Sequence, residues 1–227
     1  MKNILFLLIF GITTAQSVSV TYDVFVDGSG FKSNKKEVLD EMARQVKMAS
    51  DTKVQLLIND NKASFLVLPN AMSVADQEDI NIAIVGFVTG KEYYTDLITK
   101  KVYYKEADGT YTVGNLSSYE WELSNETKTI NIFTCYKALL KQDSKDHMGN
   151  KIVLITEAWY APALPYAFGP KEFSGLPGLI LELKTKRTTF VAAKITKIEK
   201  AKPIEFPKGP FVDAVEYDRK LRALYGM

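Results

Sequence analysis

The chain has 227 residues, with 29 Lys and Arg against 27 Asp and Glu, for a formal charge of +2. This near balance lacks the concentrated basic face that phosphate binding needs, so nucleic acid is set aside as a partner. One cysteine, Cys135, and one histidine, His147, exclude a disulfide framework and supply too few soft or imidazole ligands for a transition-metal centre. The core must therefore hold the fold unaided, and 46% hydrophobic residues allow it.

Residues 1–15 read as an export signal. Lys2 supplies the charged start, Ile4 to Ile12 is apolar apart from Gly11, and Thr13-Thr14-Ala15 offers small residues for cleavage. The expected mature start is Gln16. The apolar run falls well short of the roughly 20 residues of a spanning helix, and no later segment is apolar enough to cross a bilayer. No cysteine lies near the cut, so the chain is not expected to be a lipoprotein. Residues 16–227 are read as one domain, periplasmic or secreted.

Val18, Val20, Tyr22, Val24 and Val26 alternate with mainly polar neighbours, the period-2 pattern of a half-buried strand. Asp27-Gly28-Ser29-Gly30 breaks it. Asn34 with Glu37 has the spacing of a capping box, and Val38, Leu39, Met42, Val46 and Ala49 form a stripe on one helical face. Lys53 to Ile58 and Lys62 to Leu68 flank Asn59-Asp60-Asn61, a hairpin connection of residues that tolerate positive φ. Residues 70 to 80 read as polar and irregular, and Ile80 to Thr89 is apolar without a decisive period.

Glu92 to Ile98, Lys101 to Glu106 and Tyr111 to Gly114 form a meander with a turn at Asp108-Gly109. The next pair is expected at Tyr119 to Leu123 and Thr129 to Leu140, turning at Asn125-Glu126. Asp143 to Asn150 is a charged turn holding His147, and Lys151 to Tyr160 is a strand. Ala161 to Gly178 contains four prolines and three glycines, which no regular element tolerates. Leu179 to Lys184 and Thr188 to Lys197 make a last hairpin. Asp213 to Tyr225 is a short helix with Val215, Leu221 and Leu224 facing inward. The fold class expected is mainly β (α+β): a curved antiparallel sheet or open barrel, with one N-terminal amphipathic helix and a short C-terminal one.

Gly175-Leu176-Pro177-Gly178-Leu179-Ile180 carries the one specific motif. With it stand Trp159-Tyr160, Pro165, Phe168-Gly169-Pro170 and Phe173-Ser174. Upstream lie Trp121-Glu122-Leu123, Lys128-Thr129-Ile130 and Cys135-Tyr136-Lys137-Ala138. On these residues the chain resembles the GLPGLI family, exported proteins found mainly in Bacteroidetes. The resemblance is good over about residues 117 to 198 and looser over the rest. It implies export and a β domain but no established activity, and no role for Trp159, Pro165, Gly169, Pro170, Phe173, Gly175, Leu176, Pro177, Gly178, Leu179 or Ile180.

Physically, Pro177 fixes φ while Gly175 and Gly178 permit positive φ or close approach of backbone. The loop reads as a backbone device plugging one end of a sheet with Phe168, Phe173, Leu176 and Leu179. It also reads as the lip of an apolar cleft. Trp121 and Trp159 are core anchors or stacking platforms. Cys135, among Ile132, Phe133 and Tyr136, is a small core hydrophobe, with a Cys135–His147 dyad as the rival reading. Asp143 and Asp146 beside His147 do not make a metal site. Glu172 occupies the place where a hydrolase elbow before Gly175 needs glycine, and phosphate-loop and zinc-protease patterns are absent. Lys194, Lys197, Lys200 and Lys202 read as a solvated strand end or a weak binder of an anionic envelope surface.

No catalytic residue, metal or cofactor is assigned. Three functions remain: an envelope protein binding an apolar small molecule, lipid or peptide on a curved sheet; an interaction module for another envelope protein; or an enzyme using Cys135 or His147.

Overall fold

The computed structural model describes residues 17–69, 77–145, 149–199 and 203–225. The export-signal segment, Gln16, Asp146, His147, Lys200 and Lys202 lie outside the described residues.

Among those residues, twelve strands form one sheet. In chain order they are β1 (Ser17–Val26), β2 (Lys53–Asn59), β3 (Lys62–Val67), β4 (Lys91–Asp96), β5 (Lys101–Glu106) and β6 (Tyr111–Asn115). They continue as β7 (Glu122–Ile130), β8 (Phe133–Lys145), β9 (Lys151–Ala161), β10 (Leu179–Lys184), β11 (Thr188–Ile198) and β12 (Val212–Asp213). Their order in space is β12-β6-β5-β4-β3-β2-β1-β11-β10-β9-β8-β7. Two antiparallel meanders therefore meet at the long-range pair β1–β11, which joins Ser17 to Ile198 and Val26 to Thr188. The short β12 pairs in parallel with β6, the one exception to antiparallel pairing. The edges remain unjoined, so the sheet is open.

Alternation decides which face is buried. Val18, Val20, Tyr22 and Val24 of β1 are buried while Ser19, Thr21 and Asp23 between them are only half-buried. Val54, Leu56 and Ile58 of β2 follow the same rule. Across this face Phe190, Phe65, Tyr93 and Tyr104 contact edge-to-face in succession, at 5.7, 6.0 and 5.4 Å. Phe190 and Phe65 belong to β11 and β3, three strands apart, a separation of about 14 Å in a flat sheet. Their contact requires the sheet to curl around its core.

Helix α1 (Lys36–Ser50) lies against β1. Its cap position is Lys35 with no side-chain hydrogen bond, so the expected Asn34 capping box does not form. Gln45 and Ala49 are the buried residues of the helix, with Met42 and Val46 half-buried and Val38 and Leu39 exposed. The first turn overhangs the sheet, leaving the upper part of the stripe without a surface to cover. Helix α2 (Gln77–Ala83) and a π-helical turn at Ile84–Val88 pack beside α1. They bury Ile80, Ala83 and Val88 from the stretch whose period was indecisive.

The β7–β8 turn is at Asn131-Ile132, where Asn131 has φ 53°, and Asn125-Glu126 lie inside β7. Their turn chemistry is absorbed by a bulge: the register passes from Leu123↔Ala138 to Thr127↔Tyr136, placing two extra residues on β7. Helix α3 (Ala214–Tyr225) faces inward through half-buried Ala214, Tyr217 and Leu221. Val215 and Leu224 point outward, at 77% and 78% exposure. The Tyr217 hydroxyl donates to Asp108 at 3.0 Å, which docks the helix onto the β5–β6 turn.

Candidate functional site

The loop between β9 and β10, residues 162–178, is the feature that the rest of the sheet positions. It folds back and hydrogen-bonds to the start of its own following strand. Leu179 N donates to Leu164 O at 2.9 Å, and Ile180 N to Phe168 O at 3.0 Å. Phe168 and Ser174 form an isolated bridge within it. Where β10 leaves this arrangement its register against β9 slips between Ile180 and Glu182. The Tyr22 hydroxyl, fully buried on β1, donates to Ile180 O at 2.7 Å. Burial also pushes the Tyr22 phenol far above its ordinary range, so it remains a donor at any physiological pH.

Two glycines lock this geometry. Gly178 has φ 156°, and an added Cβ would run into the Ala161 carbonyl and Pro162 Cα. A Cβ on Gly169 would lie 2.5 Å from Ile180 Cδ1. Gly175 has φ 88° in open space, so it needs glycine for conformation rather than room. Pro170, Leu176, Leu179 and Ile180 are buried, and Pro177 is exposed between the locked positions. Phe173 stacks on Tyr119 at 5.2 Å and meets Trp121 at 6.2 Å, while Trp121 Nε1 donates to Ser174 O at 3.0 Å. Trp159 is buried beneath Lys128, whose Nζ lies 4.2 Å from the ring and pairs with Glu182 at 2.7 Å. Both tryptophans are therefore packing residues, and the motif as a whole is mostly scaffold.

The beginning of the loop differs. Ala163 and exposed Pro165 form one wall of a cleft of about 420 Å³. Val18, Leu164 and Tyr166, all buried, supply its floor. The opposite wall is the β7–β8 turn, where Ile132 is 86% exposed and Asn131 Nδ2 donates to Ala192 O at 2.9 Å. Lys194 and Lys197 of β11 also border it, three residues apart and therefore directed to opposite faces of the strand. Of the motif residues, Pro165 alone lines this cleft. Asn131, Ile132, Lys194 and Lys197 come from other strands. Asn131 and Ile132 escaped sequence reading because the turn signal at Asn125-Glu126 outweighed a single Asn followed by a β-branched residue.

A second group sits farther along the inner face. Lys171, at φ 59°, places Nζ 5.5 Å from the Phe190 ring. Burial holds its ammonium below the usual lysine range, with Glu172 opposing the shift. Glu172 accepts from the Tyr104 hydroxyl at 2.7 Å. Burial and then the Glu172 charge raise the Tyr104 phenol. Lys91 pairs with Glu106 at 3.4 Å, and Glu106 accepts from Thr112 at 2.7 Å. The Tyr104–Glu172 bond ties the loop to β5, while the Lys91–Glu106–Thr112 contacts join β4, β5 and β6 to one another.

Cys135 is fully buried, and burial pushes its thiol up. That is the environment of an inert structural cysteine. His147, its suggested partner, lies outside the described residues. Among the described residues, no group of three His, Cys, Asp or Glu is placed to hold a metal ion, and no helix is long and apolar enough to cross a membrane.

Residues 141–182 match the model of a family described as a protein of unknown function (Porph_ging), a span running from the β8–β9 hairpin through the loop into β10. No curated protein matches the chain. Two solved structures of PNGF-II, in space groups P21 and C2, resemble it with TM-scores of 0.54 and 0.53. Each is 16% identical and covers 90% of this chain. The chain spans about a third of the length of those structures' own chains, 33% and 32%. At that identity the likeness is one of fold: a mainly β chain built on an open, curved sheet, with a segment that matches the model of a family of unknown function.

Proposed function

We propose that the chain is an exported envelope protein of the GLPGLI type that binds an apolar small molecule, lipid or peptide without chemical catalysis. One observation carries the reading: the cleft between Pro165 and Ile132. The sheet's own inner face is filled by the protein's side chains and by the loop, so the ligand surface is the cleft at its margin. An apolar floor beneath an exposed branched side chain is the usual composition of a small-molecule site, and the volume lies within the roughly 300–1,000 Å³ such sites occupy. The buried, up-shifted Cys135 supports a binding role over a thiol-dependent reaction. The export signal expected at residues 1–15 supports an envelope or secreted location.

A role in docking another envelope protein draws on a separate feature. Val153 and Ile155 of β9 are more than half exposed, on a stretch of the β8–β9 hairpin that extends past the edge strand β7. The two readings are separated by native mass spectrometry of the full-length gene product recovered from its own envelope. A mass increment from a bound small molecule supports the cleft. A ligand-free mass, together with no uptake of an acyl-dansyl reporter, overturns it.

A further inference from the structure

Strand β9 has an edge that the rest of the sheet leaves open. β10 pairs with it only between Ala161 and Glu157, and the chain then turns back, Thr185 N donating to Thr188 O at 2.9 Å. Among the described residues, Lys151 to Thr156 therefore have β8 on one side and no strand or loop hydrogen-bonded on the other. Every second residue here aims its N–H and C=O away from β8, along an edge of about 20 Å. The other margins are guarded. β7 is bulged and carries Glu122, Glu126 and Lys128, and β12 is two residues long. The β8 side of the same hairpin holds Lys141, Asp143 and Lys145. The β9 side instead reads Ile152-Val153-Leu154-Ile155, without charge, proline or glycine, and Val153 and Ile155 are each 55% exposed. Such an edge is a template for strand addition.

Charge narrows the choice of strand. Residues two apart share a face, so Lys151, Val153, Ile155 and Glu157 form one row, and Lys184, the ladder partner of Glu157, continues it. Glu157 is engaged already, by Lys137 at 3.6 Å and by Trp159 Nε1 at 2.8 Å. Lys151 and Lys184 are exposed and enter no ion pair among the described residues. Arg222 of α3 borders the surface beside Lys151, as does Asp143, which faces Val153 from β8. The row is thus apolar in the middle and cationic at both ends.

We propose that this edge takes an added β-strand from a partner protein: an extended segment with apolar residues at alternate positions and acidic residues at each end. Its backbone completes the ladder in line with β10, its apolar side chains cover Val153 and Ile155, and its acids reach Lys151 and Lys184. The inference rests on the docking role of the hairpin and is independent of the cleft.

The probe is a capped peptide, Glu-Glu-Ile-Thr-Val-Thr-Val-Glu-Glu, added to the full-length protein at low salt. Binding should slow amide exchange at every second residue from Ile152 to Thr156 by about tenfold or more. Replacing the end glutamates by glutamine should weaken binding about tenfold, the effect of two exposed ion pairs. The double variant Lys151→Gln, Lys184→Gln should keep its melting temperature and lose that preference. Of two peptides N-methylated at alternate residues, the one methylated on the side facing β9 should fail to bind and the other should bind like the parent. Equal binding of both methylated peptides overturns strand addition and leaves side-chain docking on the hairpin. Equal affinity for the glutamate and glutamine peptides overturns the acidic assignment. A protein that is dimeric in solution, with these amides already protected, gives the edge to a second copy and overturns the peptide partner. No binding of any of these peptides overturns docking at this edge.

Discussion

Residues 162–168 and residues 169–178 share one loop, a supply of proline and an absence of regular structure, yet their backbones are fixed by different means. In the second stretch, main chain meets main chain or a buried branched residue at glycine: Gly178 against the Ala161 carbonyl, Gly169 against Ile180. In the first, side chains alternate between the cleft floor at Leu164 and Tyr166 and solvent at Pro162 and Pro165. Close backbone approach tolerates no added atom, whereas a surface lip tolerates many side chains. Change in the second stretch should therefore be read out as stability, and change in the first as binding.

The sharpest way to break this comparison is Gly178→Val. The new Cβ collides with backbone that cannot rotate aside, at a φ that L residues rarely adopt. The expected cost is about 3 kcal/mol, combining strain and overpacking. Chemical denaturation beside the parent measures it, and a loss below about 0.5 kcal/mol would mean that the loop re-folds around the substitution and is not locked. Gly169→Val should cost somewhat less, about 2 kcal/mol, because the clashing group is the Ile180 side chain, which can shift.

Tyr22→Phe tests the lock from beneath. It removes one hydroxyl and leaves the buried Ile180 carbonyl without that donor, at a cost of about 1–2 kcal/mol. Because the ring remains, hydrogen exchange should quicken at Leu179 and Ile180 more than in β2, which packs on the same strand. Uniform quickening would show that the hydroxyl supports the whole sheet rather than the loop.

Cys135→Ser should cost about 1 kcal/mol, since a hydroxyl replaces a packed thiol within hydrogen-bond reach of the Phe133 carbonyl. The thiol has a titration consequence as well. Burial raises its pKa in the folded state, so the unfolded chain loses this proton first, from its ordinary value of 9.0 upward. The folded protein then binds more protons than the unfolded one, and stability declines as pH rises through that window. Below it the contribution is fully present. The Ser variant should lack this decline, as denaturation midpoints at pH 7.5 and pH 10 would establish. The native thiol should also resist iodoacetamide at pH 8 until the protein is unfolded.

Much of this framework is legible in the sequence, and the failures share a physical origin. Strand β1 announces itself because one face is wholly buried and the other is not. The glycine positions were legible because a turn needing positive φ has few chemical solutions. The β7–β8 turn was misplaced because β7 is an edge strand, exposed on both faces along most of its length, so alternation offers no register. Residues such as Asn125 and Glu126 can then sit in a bulge without violating any burial rule. Helix α3 was given the wrong inner face for a related reason: it covers only the β6 and β12 margin, and Ala214 rather than a larger apolar residue makes the contact. The cleft was the least legible feature. It is assembled from β1, the β7–β8 turn, the loop and β11, and only Pro165 belongs to the recognisable motif.

The smallest expected effect on stability, and the finest test of the comparison, is Ile132→Ser at the β7–β8 turn. Ile132 is nearly free of intramolecular burial, so removing its branched side chain forfeits little folding energy. Turn geometry rests on Asn131, whose positive φ and bond to Ala192 O are untouched. The melting curve should match the parent within about 0.5 kcal/mol. A bound hydrocarbon, in contrast, would bury that side chain against Pro165. Losing this contact should weaken binding of an acyl-dansyl reporter about fivefold, which corresponds to roughly 1 kcal/mol of apolar burial. Unchanged binding would remove the turn from the cleft's working surface. A large drop in stability would show instead that Ile132 is part of the scaffold, and that the division between lip and lock is drawn in the wrong place.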